Sequence, residues 1–355
     1  MVWQSFLDCN AQTGYPSLVM SAPKHWKTRG PLAVLLLPVA ALFAAIAALR
    51  RMAWRGGLLR TERVGVPVIV VGNITAGGTG KTPLTLWLAQ FLAAQGRHPG
   101  VVSRGYGAAR RDPRAVPVSG INIVQDYGDE PCLLARRAGC PVWVGVDRAA
   151  TARALCAAHP AVDIIISDDG LQHYRMARDV EIAVVDGTRG LGNGWPLPAG
   201  PLREPASRLA TVDILVINGD DTSGITTQYP QAIPMRLTGT EFHKLLNTEH
   251  VADAASFHGQ RLHAVAGIGN PQRFFDHLQQ LGMECINHDF PDHHRYRPQD
   301  VDFANADSIV MTQKDAVKCE PFATGRYWAL VINAEPDPRL GETIIALLDK
   351  ARQHG

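Results

Sequence analysis

The chain has 355 residues, 46% hydrophobic and 19% charged. That is enough apolar material for a sizeable core and more length than one ordinary domain needs, so wholesale disorder is excluded. Thirty-five basic against 33 acidic side chains leave +2 with histidine neutral, which argues against a general nucleic-acid coat. The six cysteines, at 9, 132, 140, 156, 285 and 319, form no CxxC pair; a reducing compartment is expected, not a disulfide scaffold.

The first distinctive segment is a run of nineteen uncharged residues, Pro31 to Leu49. As a helix at about 1.5 Å per residue it reaches about 28 Å, near the hydrocarbon thickness of a bilayer. Lys24, Lys27 and Arg29 precede it, and Arg50, Arg51, Arg55, Arg60 and Arg63 follow. The expectation is a membrane-associated helix within residues 20–60, the heavier positive flank keeping the rest of the chain cytoplasmic. Trp26 and Trp54 stand at interfacial positions. Pro38 and seven alanines make a full span marginal; a buried soluble helix or a cleaved signal would look similar. Met20 opens MSAPKHWKTRG, so residues 1–19 read as a start-site artefact or a disordered lead.

From Pro67 short apolar runs alternate with helix-length segments, the pattern of a parallel sheet with crossover helices. Strands are expected at 68–71, 100–103, 142–144, 163–167, 182–186 and 213–218. Helices are expected at 83–95, 130–138 and 147–159. Residues 190–205, GLGNGWPLPAGPLREP, are too rich in glycine and proline for a regular element. After a connector at 219–229, a second set follows: strands at 261–266, 308–312 and 327–332, helices at 271–281 and 342–352. The fold class is α/β: a P-loop NTPase-like core over 61–222 and a smaller α/β lobe over 231–355.

The strand at 68–71 runs into GNITAGGTGKTP, which opens a helix. Residues Thr75, Ala76, Gly77, Gly78, Thr79, Gly80, Lys81 and Thr82 are expected to cradle a nucleotide. Their backbone N–H groups and the helix N-terminus face phosphate, Lys81 reaches the β- and γ-phosphates, and Thr82 ligates Mg²⁺. Thr75 stands where GxxxxGK[ST] has glycine. A second strand ends in Asp168-Asp169, placing acid at the carboxyl edge of the same sheet, where Mg²⁺ would bind. Asp129-Glu130 precedes a helix and reads either as capping or as catalytic acid. Arg104, Arg148 and Arg203 could clamp phosphate. Asp292, His293 and His294 could hold metal or tune a carboxylate across the cleft. Gly267–Gln272 (GIGNPQ) lies between strand and helix but lacks the third glycine of a dinucleotide fingerprint, so it reads as a tight turn.

Taken in order, the apolar N-terminal helix, TAGGTGKTP, SRGYG, GDEP, DDGLQH, LPAGPLRE, FPDHHRY and TQKDAVK resemble the tetraacyldisaccharide 4′-kinase (lipid A 4′-kinase) family from about Pro31 to Lys318. The resemblance implies transfer of the ATP γ-phosphate to the 4′-hydroxyl of an acylated glucosamine disaccharide 1-phosphate, giving lipid IVA. It further implies a two-lobed enzyme at the cytoplasmic face of the inner membrane, with that lipid and the bilayer as its partners. No nucleic acid and no obligate protein partner are expected. Carried over by position, Asp129 would be the base, His293 its dyad partner, and Lys81 part of the catalytic set. Thr82, Glu130 and Asp168 would serve Mg²⁺, Asp169, Gln172 and His173 would line the site, and Arg148 and Arg203 would contact phosphates or the head group. Leu171 and Gln313 depart from the phenylalanine and glutamate usual in these motifs. An ATP-driven switch of the GGxGKT type is the competing reading. Such proteins carry lysine where this chain has Ala76, and they have no need of DEP or DHH.

Overall fold

A computed structural model describes residues 23–105, 114–119 and 123–354 of the protein, and the first element among the described residues is a 3-10 turn at Lys24–Trp26. The readings made for residues 1–19 and for Tyr106 and Gly107 of SRGYG lie outside the described residues. The apolar run forms two helices, α1 (Pro31–Leu35) and α2 (Leu37–Arg55). Each has proline within its first turn, where the missing N–H has no partner to lose. They join at Leu36, whose N–H donates to the Leu32 carbonyl while its own carbonyl accepts from Ala40. Only Ala33 and Ala40 are buried in this stem; Leu32, Leu35, Leu42, Ile46, Leu49 and Met52 are each more than half exposed. Among the described residues α2 is the one helix long and apolar enough to cross a membrane.

The next elements are β1 (Val68–Gly72), α3 (Lys81–Ala94), β2 (Pro99–Ser103), β3 (Val116–Pro117), α4 (Ile123–Tyr127), α5 (Asp129–Arg137) and β4 (Val142–Val144). They are followed by α6 (Arg148–Ala158), β5 (Ile164–Asp168), β6 (Val180–Asp186), β7 (Ile214–Asn218), α7 (Ile225–Gln228) and β8 (Ile233–Thr238). Helix α3 starts at Lys81, two residues before the expected Pro83. The phosphate-loop lysine and threonine form its first turn, and proline is tolerated there because early N–H groups have no intrahelical acceptor.

A second group comprises β9 (Phe242–Lys244), β10 (Asn247–Ala252), β11 (Leu262–Ala266), α8 (Pro271–Gln280), β12 (Cys285–Asp289), β13 (Ser308–Thr312), α9 (Gln313–Cys319) and β14 (Tyr327–Leu330). The chain ends in β15 (Asn333–Pro336) and α10 (Arg339–His354). Among the described residues the larger sheet has nine strands in the order β15-β8-β7-β6-β1-β5-β2-β4-β3, and the smaller has six, β10-β9-β14-β13-β11-β12. In the larger sheet the strands from β8 to β4 run parallel, and β15 and β3 close its edges antiparallel. Strand β1 lies between β5 and β6, with Val71 paired to Asp168. The loops leaving β1 and β5 therefore emerge side by side at the carboxyl edge of the sheet, where open α/β folds bind ligands.

The division expected at residue 231 is displaced. Strand β8 pairs with β7, β15 returns to pair with β8, and α10 packs Leu340, Ile344 and Leu348 into the first core beside Leu84, Leu88 and Leu92. Where α10 crosses α3, a Cβ on Gly341 would lie 2.7 Å from the Phe91 ring, so glycine lets the two helices approach. The smaller lobe is thus an insertion, residues 242–330, between two neighbouring strands of the larger sheet. Strands β10 and β12 are polar and largely exposed, edge strands whose composition gives no apolar run to read.

Ile344 is fully buried in the first core, so Ile344→Ala should lower unfolding free energy by about 2–4 kcal/mol. Urea denaturation checks this; a loss below about 0.5 kcal/mol, the range of surface substitutions, would contradict the docking of the last helix on the larger sheet.

Candidate active site

The loop after β1 is held from several sides. Asn73 Nδ2 donates to the Gly77 carbonyl at 3.3 Å, Asn218 Nδ2 donates to the Thr79 carbonyl at 3.0 Å, and Arg189 donates to the Gly78 carbonyl. Gly80 has φ +93°, and a Cβ there would sit 2.5 Å from Asn218 Nδ2; both its conformation and its surroundings require glycine. Thr75, where glycine is usual, is not among the left-handed residues. It forms an antiparallel bridge with Leu202, an extended conformation that suits a β-branched side chain. The Ala76 N–H is committed to the Pro201 carbonyl at 2.8 Å. Lys81 Nζ lies 3.6 Å from Asp169 Oδ1, and Thr82 is half-buried beside it.

Asp168 ends β5 and Asp169 lies in the turn after it, and their side chains meet different partners. Asp168 is buried and accepts from Thr85 Oγ1 at 3.2 Å and Ser103 Oγ at 3.4 Å. Burial, then the Glu130 and Asp169 charges, push its carboxyl up to about 7 against the pull of Lys81 and Arg148. Asp169 turns the other way with φ +47° and pairs with Arg203 Nη1 at 3.2 Å. Burial works to raise its carboxyl, but Lys81 and Arg203 outweigh it and hold it low.

Asp129 opens α5 after Gly128 and is 4% exposed. His293 arrives from the smaller lobe with Nδ1 at 3.0 and 3.2 Å from the two carboxylate oxygens. Lys314 Nζ, on α9, is 3.8 Å from Asp129, 3.2 Å from Glu130 and 3.3 Å from Asp292; Lys318 Nζ is 4.0 Å from Asp129. Burial alone would raise the Asp129 carboxyl, but the His293 hydrogen bond and the Lys314 charge dominate and bring it down to about 2. The same hydrogen bond raises His293 above its ordinary value. His294 turns away to Asp300 at 3.2 Å. Among the described residues, Asp169 and His293 are the only non-glycine positions with positive φ. Such conformations cost about 1–3 kcal/mol and persist where the surroundings over-determine them, which is why they cluster at functional sites.

Other expected residues divide. Gln172 Nε2 donates to the Asn73 carbonyl at 3.1 Å and to Glu204 at 3.3 Å, bracing the start of the phosphate loop. His173 is half-buried, and burial with Arg148 and Arg104 lowers it to about 4, a neutral imidazole. Arg148 was expected to reach phosphate or head group; it is 2% exposed and donates to the Gly145 and Asp168 carbonyls. It therefore supports the end of β5 from beneath. Leu171 is fully buried under Gly72, and Gln313 keeps an acceptor for Arg137 Nη1 at 2.8 Å, so neither departure reaches an ionised group of the site. Sequence reasoning missed Lys314 and Lys318, although their spacing of four on one helix marks a shared face. It also left GIGNPQ as a turn, yet a Cβ on Gly269 would lie 3.5 Å from Asp292 Oδ2 and 3.9 Å from the Gly78 nitrogen. That turn seats the smaller lobe on the phosphate loop.

Comparison with known proteins identifies the family. The family described as Tetraacyldisaccharide-1-P 4'-kinase matches residues 32–349. The tetraacyldisaccharide 4'-kinase of Azoarcus sp. (strain BH72) is 50% identical over 94% of this chain and 96% of its own. That of Dechloromonas aromatica (strain RCB) is 49% identical over 91% and 94%. A crystal structure of LpxK from Aquifex aeolicus, in complex with ATP, superposes with a TM-score of 0.72 at 25% identity, covering 89% of this chain and 99% of that one. The chain belongs to the tetraacyldisaccharide-1-phosphate 4′-kinase family and is a kinase of lipid A biosynthesis.

Proposed function

We propose that the larger lobe binds ATP in residues 75–82 and that the smaller lobe completes the centre by fixing Asp129 to accept the proton of the 4′-hydroxyl as that oxygen attacks the γ-phosphorus. The observation that carries this reading is the Asp129–His293 contact at 3.0 Å between the lobes. It supports the reading because it keeps a desolvated carboxylate ionised at the contact between the lobes. A sugar hydroxyl needs a proton acceptor to become a nucleophile. Asp129, held at about 2, is a weak base, so the proton passes late, as bond formation to phosphorus acidifies the attacking oxygen. His293 orients the carboxylate and shares its charge. Lys81 neutralises the transferring phosphoryl group, and Arg203, pivoting on Asp169, contacts phosphate.

Mg²⁺ fits the donors present. Among the described residues no group of three or more His, Cys, Asp or Glu could hold a metal alone. Mg²⁺ commonly takes only one or two carboxylates and completes its shell with phosphate and water oxygens. Asp168, crowded by Glu130 and Asp169, is a carboxylate in want of a cation; Asp168, Glu130 and the Thr82 hydroxyl would hold it. When bound, the ion neutralises phosphate charge.

The exposed apolar faces of α1 and α2 insert into the cytoplasmic leaflet of the inner membrane, because an acceptor carrying several acyl chains stays in the bilayer.

The direct test is transfer of labelled phosphate from ATP to purified disaccharide 1-phosphate, with a no-acceptor control. Asp129→Asn should lower turnover about 10²–10⁴-fold with ATP affinity nearly unchanged; equal loss in both would make Asp129 a binding group. Lys81→Ala should lower transfer by at least about 10²-fold, and wild-type-like turnover would overthrow the nucleotide assignment. The pair also predicts a pH signature. His293 is raised by Asp129, so its contribution to stability is fully present below about 6.5, its usual value, and is lost as pH rises through the higher folded value. The Tm deficit of His293→Gln should therefore shrink between about pH 6 and pH 9. A deficit that stays constant or widens would contradict the ion pair.

A further inference from the structure

The glycine- and proline-rich stretch at 190–205 is an ordered bracket with two ends, one on the membrane stem and one on the phosphate loop. At the first end the Asn193 side chain, 7% exposed, donates to the His25, Thr28 and Ala199 carbonyls at 3.0, 3.2 and 2.9 Å and accepts from the Trp195 N–H at 3.0 Å. The Asn193 N–H donates to the Trp26 carbonyl at 2.8 Å. Trp26 Nε1 donates in return to the Pro198 carbonyl at 3.0 Å, and His25 Nε2 lies 3.1 Å from the same oxygen. Arg29 Nε donates to the Asn193 carbonyl at 3.1 Å, and its guanidinium lies 5.4 Å from the Trp195 ring centre. The fit is close. A Cβ on Gly192 would meet the Trp26 carbonyl at 2.6 Å, and one on Gly200 would meet Asn193 Oδ1 at 2.1 Å.

At the second end the same stretch is stitched to the nucleotide loop. The Ala76 N–H donates to the Pro201 carbonyl at 2.8 Å, the Arg203 N–H donates to the Ile74 carbonyl at 2.7 Å, and Thr75 bridges Leu202. Between the ends, the Leu197 N–H donates to the Leu202 carbonyl at 2.9 Å and the Leu202 N–H to the Trp195 carbonyl at 3.1 Å. Leu202 itself is buried in the core beneath β1. The link is therefore continuous hydrogen-bonded backbone, not a tether.

We propose that residues 193–203 form a rigid strut which registers the height of the phosphate loop above the bilayer, with Asn193 as its positioning residue. A membrane-held acceptor presents its hydroxyl at a depth fixed by its acyl chains, so the donor phosphate must be held at a matching height. Misplacement of reacting groups by about 1 Å can cost about 10²-fold in rate. A flexible tether would hold the enzyme on the surface without setting that distance. This inference rests on the reading that α1 and α2 enter the membrane.

The test compares Asn193→Ala and Trp26→Phe with wild type in two presentations of the tetraacyldisaccharide 1-phosphate. One is embedded in phosphatidylethanolamine–phosphatidylglycerol vesicles; the other is dispersed in small nonionic detergent micelles, which reshape around the stem. Both variants should co-sediment with vesicles as wild type does and keep its KM for ATP. On vesicles Asn193→Ala should lose at least about 10-fold in turnover and Trp26→Phe a smaller factor in the same direction, against about 3-fold or less in detergent. Equal loss in both presentations would make the contacts structural only and overturn the strut, as would wild-type turnover of both variants on vesicles. Should Asn193→Ala fail to fold, Trp26→Phe, which keeps an aromatic ring while removing the indole N–H and its bond to the Pro198 carbonyl, decides alone. Wild-type protein that stays in the supernatant would overturn the membrane reading and the strut with it.

Discussion

One buried charge arrangement holds the centre together. Asp129 carries a carboxylate on the larger lobe at 4% exposure, and water is largely excluded from it. An unpaired charge in such a place is costly, and breaking a buried pair is more costly than never forming it. The compensating cations, His293, Lys314 and Lys318, all come from the smaller lobe. Docking of the lobes therefore supplies the charges that keep this buried carboxylate ionised. Lys314 extends the arrangement to Glu130 and Asp292; burial alone would depress its ammonium, but those carboxylates raise it. Arg137, reaching Gln313, the Ile332 carbonyl and Asn333, adds a neutral-polar seam beside the charged one.

The position of the smaller lobe follows from its insertion between two adjacent strands. Strands β8 and β15 are neighbours in the larger sheet, so both ends of the inserted lobe leave from one place. The lobe has two short connections there, and its Gly269 turn rests against Gly78. Asp169 and His293 both hold a positive φ that is uncommon outside glycine, each at a turn and each facing a charged partner. Asp169 faces Lys81 and Arg203, and His293 faces Asp129.

The stem and the catalytic lobe meet through the 193–203 bracket rather than through packed side chains, since α1 and α2 bury only two alanines. Polar backbone contacts carry this junction because the apolar side chains of the stem face outward. The bracket thus leaves the apolar helices free while fixing their base to the phosphate loop.

Much of this is legible in the amino-acid sequence. The phosphate loop sits between a fully apolar strand and a helix, Asp168-Asp169 ends another apolar strand, and the uncharged run of 31–49 stands out from everything around it. These features are local in sequence, written in periodicity and in residue types with few uses. The edge strands β10 and β12 were not legible, because exposed polar strands carry no apolar signal. The return of β15 and α10 to the first sheet was also hidden. The stripe of Leu340, Ile344 and Leu348 shows that the helix buries one face, and nothing in it states which sheet receives that face. The sequence by itself determined the glycine-rich loop between strand and helix, the aspartates at the edge of the same sheet and the apolar stem. Only the tertiary structure decided that Arg148 supports β5 from below, that His293 rather than His294 meets Asp129, and that residues 193–203 span from stem to cradle. Those outcomes depend on distances between segments far apart in the chain, and such distances are set by packing, which no local pattern encodes.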